Sequence, residues 1–391
     1  MAGLSSITFN VGEGGLGRRT PNQDKISALL FYNNTLPTGF AADDREKKVY
    51  TLGQAEALGI IEGSVNHAVE WYHISEYFRI NPEGELWIGF YPVPALTYDY
   101  AEITTLATAA AGEIRLMGVY NGNDEAFATA EVTKMQTLVD ALDALGYNLS
   151  IIYAGDFSAV ADWLAVGDLR ALAARKVSVC VAQDGGGAGA ALYASKAYSI
   201  TAIGAQLGAH SRSAVQQSIG NPANFNMSDG TELETIALAN GDAANDLTIL
   251  ASLKDDGYSV MRKYLPEISG SYFERIPTSI PATSDFAFIE NNRVIDKAIR
   301  LTRTVMTPEI QKDLLLNADG TLTDDVTGYF SDIVGTKLEA MVANGEISNY
   351  NVLIDPAQDV LATDTVVVTI QILPLGIAEF ITVNIGLVTS L

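Results

Sequence analysis

The C-terminal end of the chain alternates apolar and polar residues with a period of two. Within residues 365–373 one face carries Val366, Val368, Ile370 and Ile372, and the other carries Val367, Thr369, Gln371 and Leu373. After a break at residues 374–378 the alternation resumes, and Phe380, Thr382 and Asn384 oppose Ile381, Val383 and Ile385. This period predicts two consecutive strands at the C-terminus.

A terminal strand this apolar would cause aggregation if nothing covered it. It either pairs inside its own domain or is donated to the sheet of a neighbouring chain. The other end of the chain favours donation, because residues 5–11 form a second short strand pattern with Ile7, Phe9 and Val11 on one face. A flexible linker containing Gly12, Gly14, Gly15 and Gly17 follows. A tethered strand at each terminus suits a subunit that links to copies of itself.

The middle of the chain alternates apolar strands with helices. Strands are predicted at residues 25–32, 47–52, 86–91, 114–120, 149–153 and 177–181, and helices at residues 64–79, 101–111 and 126–145. Strands that are apolar throughout, separated by helices, indicate a mostly parallel central sheet flanked by helices. The sequence therefore predicts an α/β fold for this region.

A further helix is expected at residues 197–210. Beyond it, helices expected at residues 290–305, 307–316 and 324–344 and a strand at residues 350–354 predict an α+β C-terminal domain. We divide the chain into an N-terminal strand arm and linker (1–24), an α/β domain (25–245), a C-terminal domain (246–378) and a C-terminal strand arm (379–391).

Charge and composition exclude several partners. The 391 residues include 24 basic and 47 acidic side chains, a net charge of -23, and no run of Lys or Arg. Nucleic acid and anionic membranes are therefore poor partners. No segment reaches the ~18 apolar residues of a membrane helix, and no secretory signal precedes the first strand. We expect a protein made in the cytoplasm.

Few residues are suited to catalysis or ligand binding. The single cysteine, Cys180, lies in a predicted buried strand, which indicates an inert core thiol. His67 and His73 are spaced as i and i+6, unlike the i, i+4 pair of a zinc site, and aromatic neighbours suggest packing. The glycine motifs at residues 12–17 and 184–189 lack the helix or the lysine that phosphate binding requires. We predict no catalytic residue, metal, cofactor or small-molecule ligand.

One charged pattern stands out in this acidic chain. Arg293, Lys297, Arg300 and Arg303 recur at i, i+4, i+7 and i+10, so they share one face of a predicted helix. The stripe is either a solvated face or a docking surface for an acidic partner.

Five segments of the chain form a recognisable set: SDFAFIENNRVIDKA (284–298), IDPAQ (354–358), ILPLGIA (372–378), YHISEYF (72–78) and the stretch from 218 to 228. They resemble the contractile tail sheath proteins of bacteriophages, in particular the uncharacterised-domain family found in Mu-like and Bacteroidetes prophages. The resemblance covers most of the chain and is strongest from Asp246 onward. It implies a subunit of a helical sheath around a rigid tube, assembled in the host cytoplasm and carried on the virion tail.

The resemblance also implies roles for the patterns above. Residues 5–11 and 379–388 would be strands donated to neighbours, and residues 350–354 and 365–373 would accept them. The helix of the charged stripe would face the tube, with the helix at 324–344 as a rival. Partners would be copies of the chain, a tail tube protein, and baseplate and tail terminator proteins. An α/β enzyme and a non-contractile shell or surface-layer protein remain the alternatives.

Overall fold

The computed structural model describes residues 23–385 and residue 387, apart from Leu96 and residues 265–267. The predicted N-terminal strand with Ile7, Phe9 and Val11, and the linker with Gly12, Gly14, Gly15 and Gly17, lie outside the described residues.

The described strands are β1 (Ser27–Tyr32), β2 (Glu46–Val49), β3 (Leu86–Tyr91), β4 (Leu116–Ala126), β5 (Ser150–Asp156), β6 (Val177–Cys180), β7 (Ala182–Asp184), β8 (Ile236–Leu238), β9 (Tyr258–Ser259), β10 (Met261–Arg262), β11 (Tyr272–Phe273), β12 (Asn349–Leu353) and β13 (Thr369–Leu373). Seven of them form one central sheet, in the order β2-β3-β1-β4-β5-β6-β9. All neighbouring strands in this sheet are parallel except β2, which runs antiparallel to β3 at the edge. The remaining strands form three separate pairs, β7–β8, β10–β11 and β12–β13.

Helices cover both faces of the central sheet. They are α1 (Leu52–Ala57), α2 (Ala68–Ile80), α3 (Glu102–Ala109), α4 (Thr129–Ala144), α5 (Ala188–Lys196), α6 (Ile203–Arg212), α7 (Leu247–Asp255), α8 (Ile289–Met306), α9 (Asp324–Ala343) and α10 (Val360–Thr363). Every residue of β1 is buried, as a strand covered on both faces requires. The predicted mostly parallel α/β sheet is confirmed.

Two predicted helices differ from the structure. The helix expected at residues 197–210 corresponds to α6 and begins only at Ile203, because Ala197 ends the preceding helix α5 in the left-handed conformation with φ of 59°. The helix expected at residues 307–316 is a single 3₁₀ turn, Thr307–Glu309, which continues α8. The Thr307 hydroxyl donates to the Arg303 carbonyl 2.7 Å away, so this side chain does not cap a new helix.

The C-terminal helices and β12–β13 enclose a second, smaller core. Its fully buried members include Val294 and Ala298 of α8 and Val334, Leu338 and Met341 of α9. The elements from α7 to β11 pack instead in the large core under the central sheet. The domain boundary expected at residue 246 stays a prediction.

A buried ion cluster joins the large core to α8. The Lys176 ammonium group lies 2.8 Å from Asp143 at the end of α4 and 2.8 Å from Asp296 of α8, and its side chain is fully buried. Burial raises the pKa of Asp296, and the nearby lysine opposes this shift. Because a charge at this depth is tolerated only when it is paired, Lys176 fixes α8 against the α/β body.

We expect Lys176→Ala to lower the free energy of unfolding by about 3–5 kcal/mol, because it leaves two carboxylates without their buried cation. Arg175→Ala is the matched control, since Arg175 is partly exposed and 3.6 Å from Asp143; we expect a loss below about 1 kcal/mol. Chemical denaturation measures both values. Equal losses in the two variants would contradict the role given to Lys176.

Candidate assembly interface

The strands β12 and β13 form a hairpin that is covered on one face only. Tyr350 and Val352 of β12 and Ile370 and Ile372 of β13 are half-buried against the core of α8 and α9. The other face, which includes Leu353 and Leu373, is exposed. Within the described part of the chain no third strand pairs with either edge of this hairpin. Both edges therefore present backbone N–H and C=O groups that can accept further strands.

The predicted alternation at the C-terminus is confirmed, but the strand is shorter than expected. Val366, Val368, Ile370 and Ile372 are all half-buried, and the residues between them are exposed. Regular pairing begins only at Thr369, so Val366 and Val368 lie outside the strand. The predicted accepting strand at 365–373 is therefore corrected to Thr369–Leu373.

A glutamine side chain replaces the missing strand partner. The hairpin register, continued by two residues, would place Asp355 opposite Val367, but Pro356 follows and lacks a backbone donor. The Gln358 side chain accepts from the Val367 N–H at 2.6 Å and donates to the Val367 carbonyl at 3.0 Å. Gln358 belongs to the IDPAQ segment, and it closes the connection between β12 and β13.

The C-terminal segment exposes its apolar side chains. Phe380, Ile381, Val383 and Ile385 are 87%, 80%, 71% and 91% exposed, respectively. No strand is formed by the described residues beyond Leu373. Within the described part of the chain, therefore, no sheet pairs with this predicted strand, and its alternating side chains are available to a neighbour.

The charged stripe of α8 contacts residues of its own chain. Arg293 is buried and donates to the Ser213 hydroxyl at 2.8 Å and to the His210 carbonyl at 2.9 Å. Burial lowers its pKa to about 10. Lys297 and Arg300 pair with Asp24, and Arg303 donates to the Gly146 carbonyl. The tube-facing role of these four residues stays a prediction, and Arg293 has no exposed charge to contribute to it.

His73 and Cys180 are buried in the core. Burial lowers the pKa of His73 to about 3 and raises that of Cys180 to about 12, so both are neutral packing groups, as predicted for Cys180 and His73. The glycine segment after Asp184 leads into α5, where backbone N–H groups are bound by the carboxylates of Asp184 and Glu232. An anion at this helix start would face two carboxylates.

Two further features of the described residues bear on function. No cluster of His, Cys, Asp and Glu in the described ranges has the arrangement of a metal site. No helix among them has the length and apolarity that crossing a bilayer demands.

Sequence patterns missed the residues at the base of the C-terminal segment. Glu379 is the only charged residue after Asp364, and Lys254 pairs with it through a short contact. Arg275 lies 3.6 Å from the same carboxylate. The signal in the sequence is a single charge, Glu379, in a long stretch without other charges. Its partners Lys254 and Arg275 lie more than about 100 residues earlier in the sequence, and only the fold brings them close to it.

Gln358→Ala tests the closure of the hairpin connection. Loss of two hydrogen bonds to exposed backbone should destabilise this connection by about 1–2 kcal/mol, and amide hydrogen exchange at Val367 should accelerate by about tenfold. Gln371→Ala, on the exposed face of β13, is the control and should leave exchange at Val367 unchanged. If both variants exchange at the wild-type rate, Gln358 does not hold this segment.

Comparison with known proteins agrees with this architecture. A chain of the anti-feeding prophage baseplate superimposes with a TM-score of 0.63 and 12% identity over 100% of both chains. A chain of the sheath complex of the PVC extracellular contractile injection system, in its contracted state, superimposes with a TM-score of 0.61 and 11% identity over 98% of this chain and 99% of that one. At this identity the likeness establishes the fold.

No curated protein sequence matches the chain. The N-terminal domain of DUF2586 matches residues 4–275, and the C-terminal domain of DUF2586 matches residues 285–391. The division between the two family domains falls just before α8, where the large core ends and the small one begins. The chain belongs to the DUF2586 family.

Proposed function

We propose that this protein is the sheath subunit of a contractile injection system, which polymerises helically around a tail tube and drives the tube out by contraction. The proposal rests on two features that occur together in one chain. A hairpin with two open edges stands beside an alternating apolar segment that no described strand covers. The likeness to a sheath chain over nearly the whole length supports the same function.

Strand exchange between copies satisfies both features at once. In this scheme residues 379–388 of one copy pair with an edge of the β12–β13 hairpin in the next copy. Residues 5–11 pair with the hairpin of another copy. The side chains of Ile381, Val383 and Ile385 then extend the apolar face formed by Tyr350, Val352, Ile370 and Ile372. Because a strand alternates faces, Thr382 and Asn384 point to solvent.

A pocket beside β13 offers room for an added side chain. It encloses about 270 Å³ and is lined by Phe286, Val294, Ile295, Ile372 and Pro374, together with Asp285 and Asn291. Its wall thus combines the end of β13 with one side of α8. A strand added along this edge would cover the pocket and bury its apolar lining.

Strand exchange explains how a lattice could shorten without falling apart. Each inserted strand makes several backbone hydrogen bonds of about 0.5–1.5 kcal/mol net, besides burying apolar area. These links persist while the surfaces of the larger domains slide. We infer that subunits assemble in an extended packing of higher free energy and release it as rotation and compaction, with no nucleotide required.

Partners and location follow from this function. We propose that the protein contacts copies of itself, a tail tube protein, and baseplate and terminator proteins, and that it resides on an assembled tail. The tube contact is proposed for exposed residues of α8 or α9; Arg303 is the exposed member of the α8 stripe, whereas α9 exposes Asp325, Asp332 and Glu339 at seven-residue intervals.

A baseplate subunit is the second candidate, because a baseplate chain has the same fold over its full length. A baseplate role predicts closed rings of fixed copy number. A sheath role predicts hollow cylinders whose length increases with concentration. Negative-stain electron microscopy of the purified chain distinguishes the two outcomes.

Val383→Asp tests the donated strand. We expect this variant to fold normally, because Val383 is 71% exposed, and to form no cylinders, because the added strand would place a carboxylate against an apolar face. Thr382→Asp, one residue away on the opposite face, is the matched control and should still assemble. Sedimentation and negative-stain microscopy measure assembly, and circular dichroism measures folding.

Cylinders formed equally by wild type and Val383→Asp would show that residues 379–388 are not the donated strand. Small uniform particles from the wild-type chain at high concentration would contradict the sheath function itself.

A further inference from the structure

Near the first described residue, the carboxylate of Asp24 is held by two cations of α8. Asp24 lies 2.6 Å from Lys297 and makes a short contact with Arg300. Lys297 also pairs with Glu346 at 2.6 Å, and Arg115 donates to the Gln23 carbonyl at 2.9 Å. Although burial opposes the shift, Lys297 and Arg300 hold the pKa of Asp24 below its ordinary value. We name Asp24, Lys297 and Arg300 the N-terminal anchor.

The C-terminal segment leaves the body in the same manner. Glu379 pairs with Lys254 and Arg275, which in turn pair with Glu274 at 3.0 Å and Glu290 at 3.6 Å, respectively. Its side chain is 22% exposed, whereas Phe380, the next residue, is 87% exposed. Residues 373–378 are exposed too, so Glu379 is the one half-buried residue among the described residues after Ile372. We name Glu379, Lys254 and Arg275 the C-terminal anchor.

The cations of the two anchors come from different elements of the fold. Lys297 and Arg300 lie on α8, which the buried Lys176 fixes to the body. Lys254 lies at the end of α7, and Arg275 follows β11. Both of these elements contribute apolar side chains to the large core. Each anchor thus connects a terminal segment to a rigid element.

We infer that these two anchors position the exchange arms, by fixing where and in which direction each arm leaves the subunit. This inference rests on the proposed strand exchange. It assigns Asp24, Lys297 and Arg300 to the N-terminal arm and Glu379, Lys254 and Arg275 to the C-terminal arm. It also gives Lys297 and Arg300 of the charged stripe a role inside the subunit.

The physical reason is effective concentration. An arm fixed at its base samples a smaller volume, so its free end meets the neighbouring hairpin more often. The base also transmits force, because a pull on the donated strand reaches α8 or α7 through these ion pairs. Ion pairs that are four-fifths buried are screened by salt less than exposed pairs, so such an anchor persists at the salt concentration of a cell.

The test uses Glu379→Gln, which removes the charge of the side chain and keeps its shape. Glu379→Asp, which keeps the negative charge, is the conservative variant. The body should stay folded in all variants, because Lys254 and Arg275 keep their other carboxylates. We expect Glu379→Gln to raise the critical concentration for cylinder formation about tenfold, or about 1.4 kcal/mol per added subunit. Glu379→Asp should recover most of the loss, and Glu62→Gln, an exposed carboxyl elsewhere, should have no effect.

Asp24→Asn tests the N-terminal anchor in the same assay.

A second readout does not require assembly. A nitroxide attached at Thr382→Cys reports the motion of the arm base in the monomer by electron paramagnetic resonance, since the native Cys180 is buried and does not react. Glu379→Gln in this background should narrow the spectral lines, because the label moves more freely. An unchanged line shape overturns the C-terminal anchor.

The two readouts separate the anchor from the function on which it rests. If Glu379→Gln narrows the spectral lines but leaves the critical concentration for cylinder formation unchanged, Glu379 holds the arm and the anchor has no role in assembly. If the wild-type chain forms no cylinders, the proposed function fails, and the monomer spectra still decide whether Glu379 holds the arm.

Discussion

Unpaired backbone at the edges of the β12–β13 hairpin is the constraint on which the rest of this structure depends. A two-stranded sheet is marginal in water, and this one packs one face on α8 and α9 while its edges have no strand partner among the described residues. The same chain carries an exposed apolar segment with a strand period. In the strand exchange that we propose, copies of the chain supply these partners to each other.

Helix α8 connects every part of this arrangement. Its buried face holds Asp296 against Lys176 of the α/β body and Arg293 against the end of α6. Its apolar residues Val294 and Ala298 form the small core under the hairpin. Lys297 and Arg300 hold Asp24. Helix α8 thus connects the hairpin and Asp24 to the central sheet.

The central sheet and the C-terminal alternation could be predicted from sequence because both depend on local periodicity. β3 was predicted with its observed bounds, and the burial of Val366, Val368, Ile370 and Ile372 on one face was also predicted. Periodicity does not report which side chain replaces a strand partner, so the contact of Gln358 with Val367 and the true start of β13 required the structure.

Charge patterns were harder to interpret than hydrophobic ones. The spacing of Arg293, Lys297, Arg300 and Arg303 correctly indicates one side of a helix but not what that side faces. Arg293 is buried among carbonyls of residues 210–214, and Lys297 and Arg300 meet Asp24, more than 270 positions earlier. Such long-range partners follow from the fold alone, and a lone charge such as Glu379 shows no periodic signal at all.

Helical reconstruction by cryo-electron microscopy of cylinders assembled from the purified chain tests the central claim most directly. We predict that residues 379–388 of one copy lie as a strand beside Asn349–Leu353 or Thr369–Leu373 of another copy. A reconstruction in which both termini pair only with their own hairpin, with no strand crossing between subunits, would contradict it.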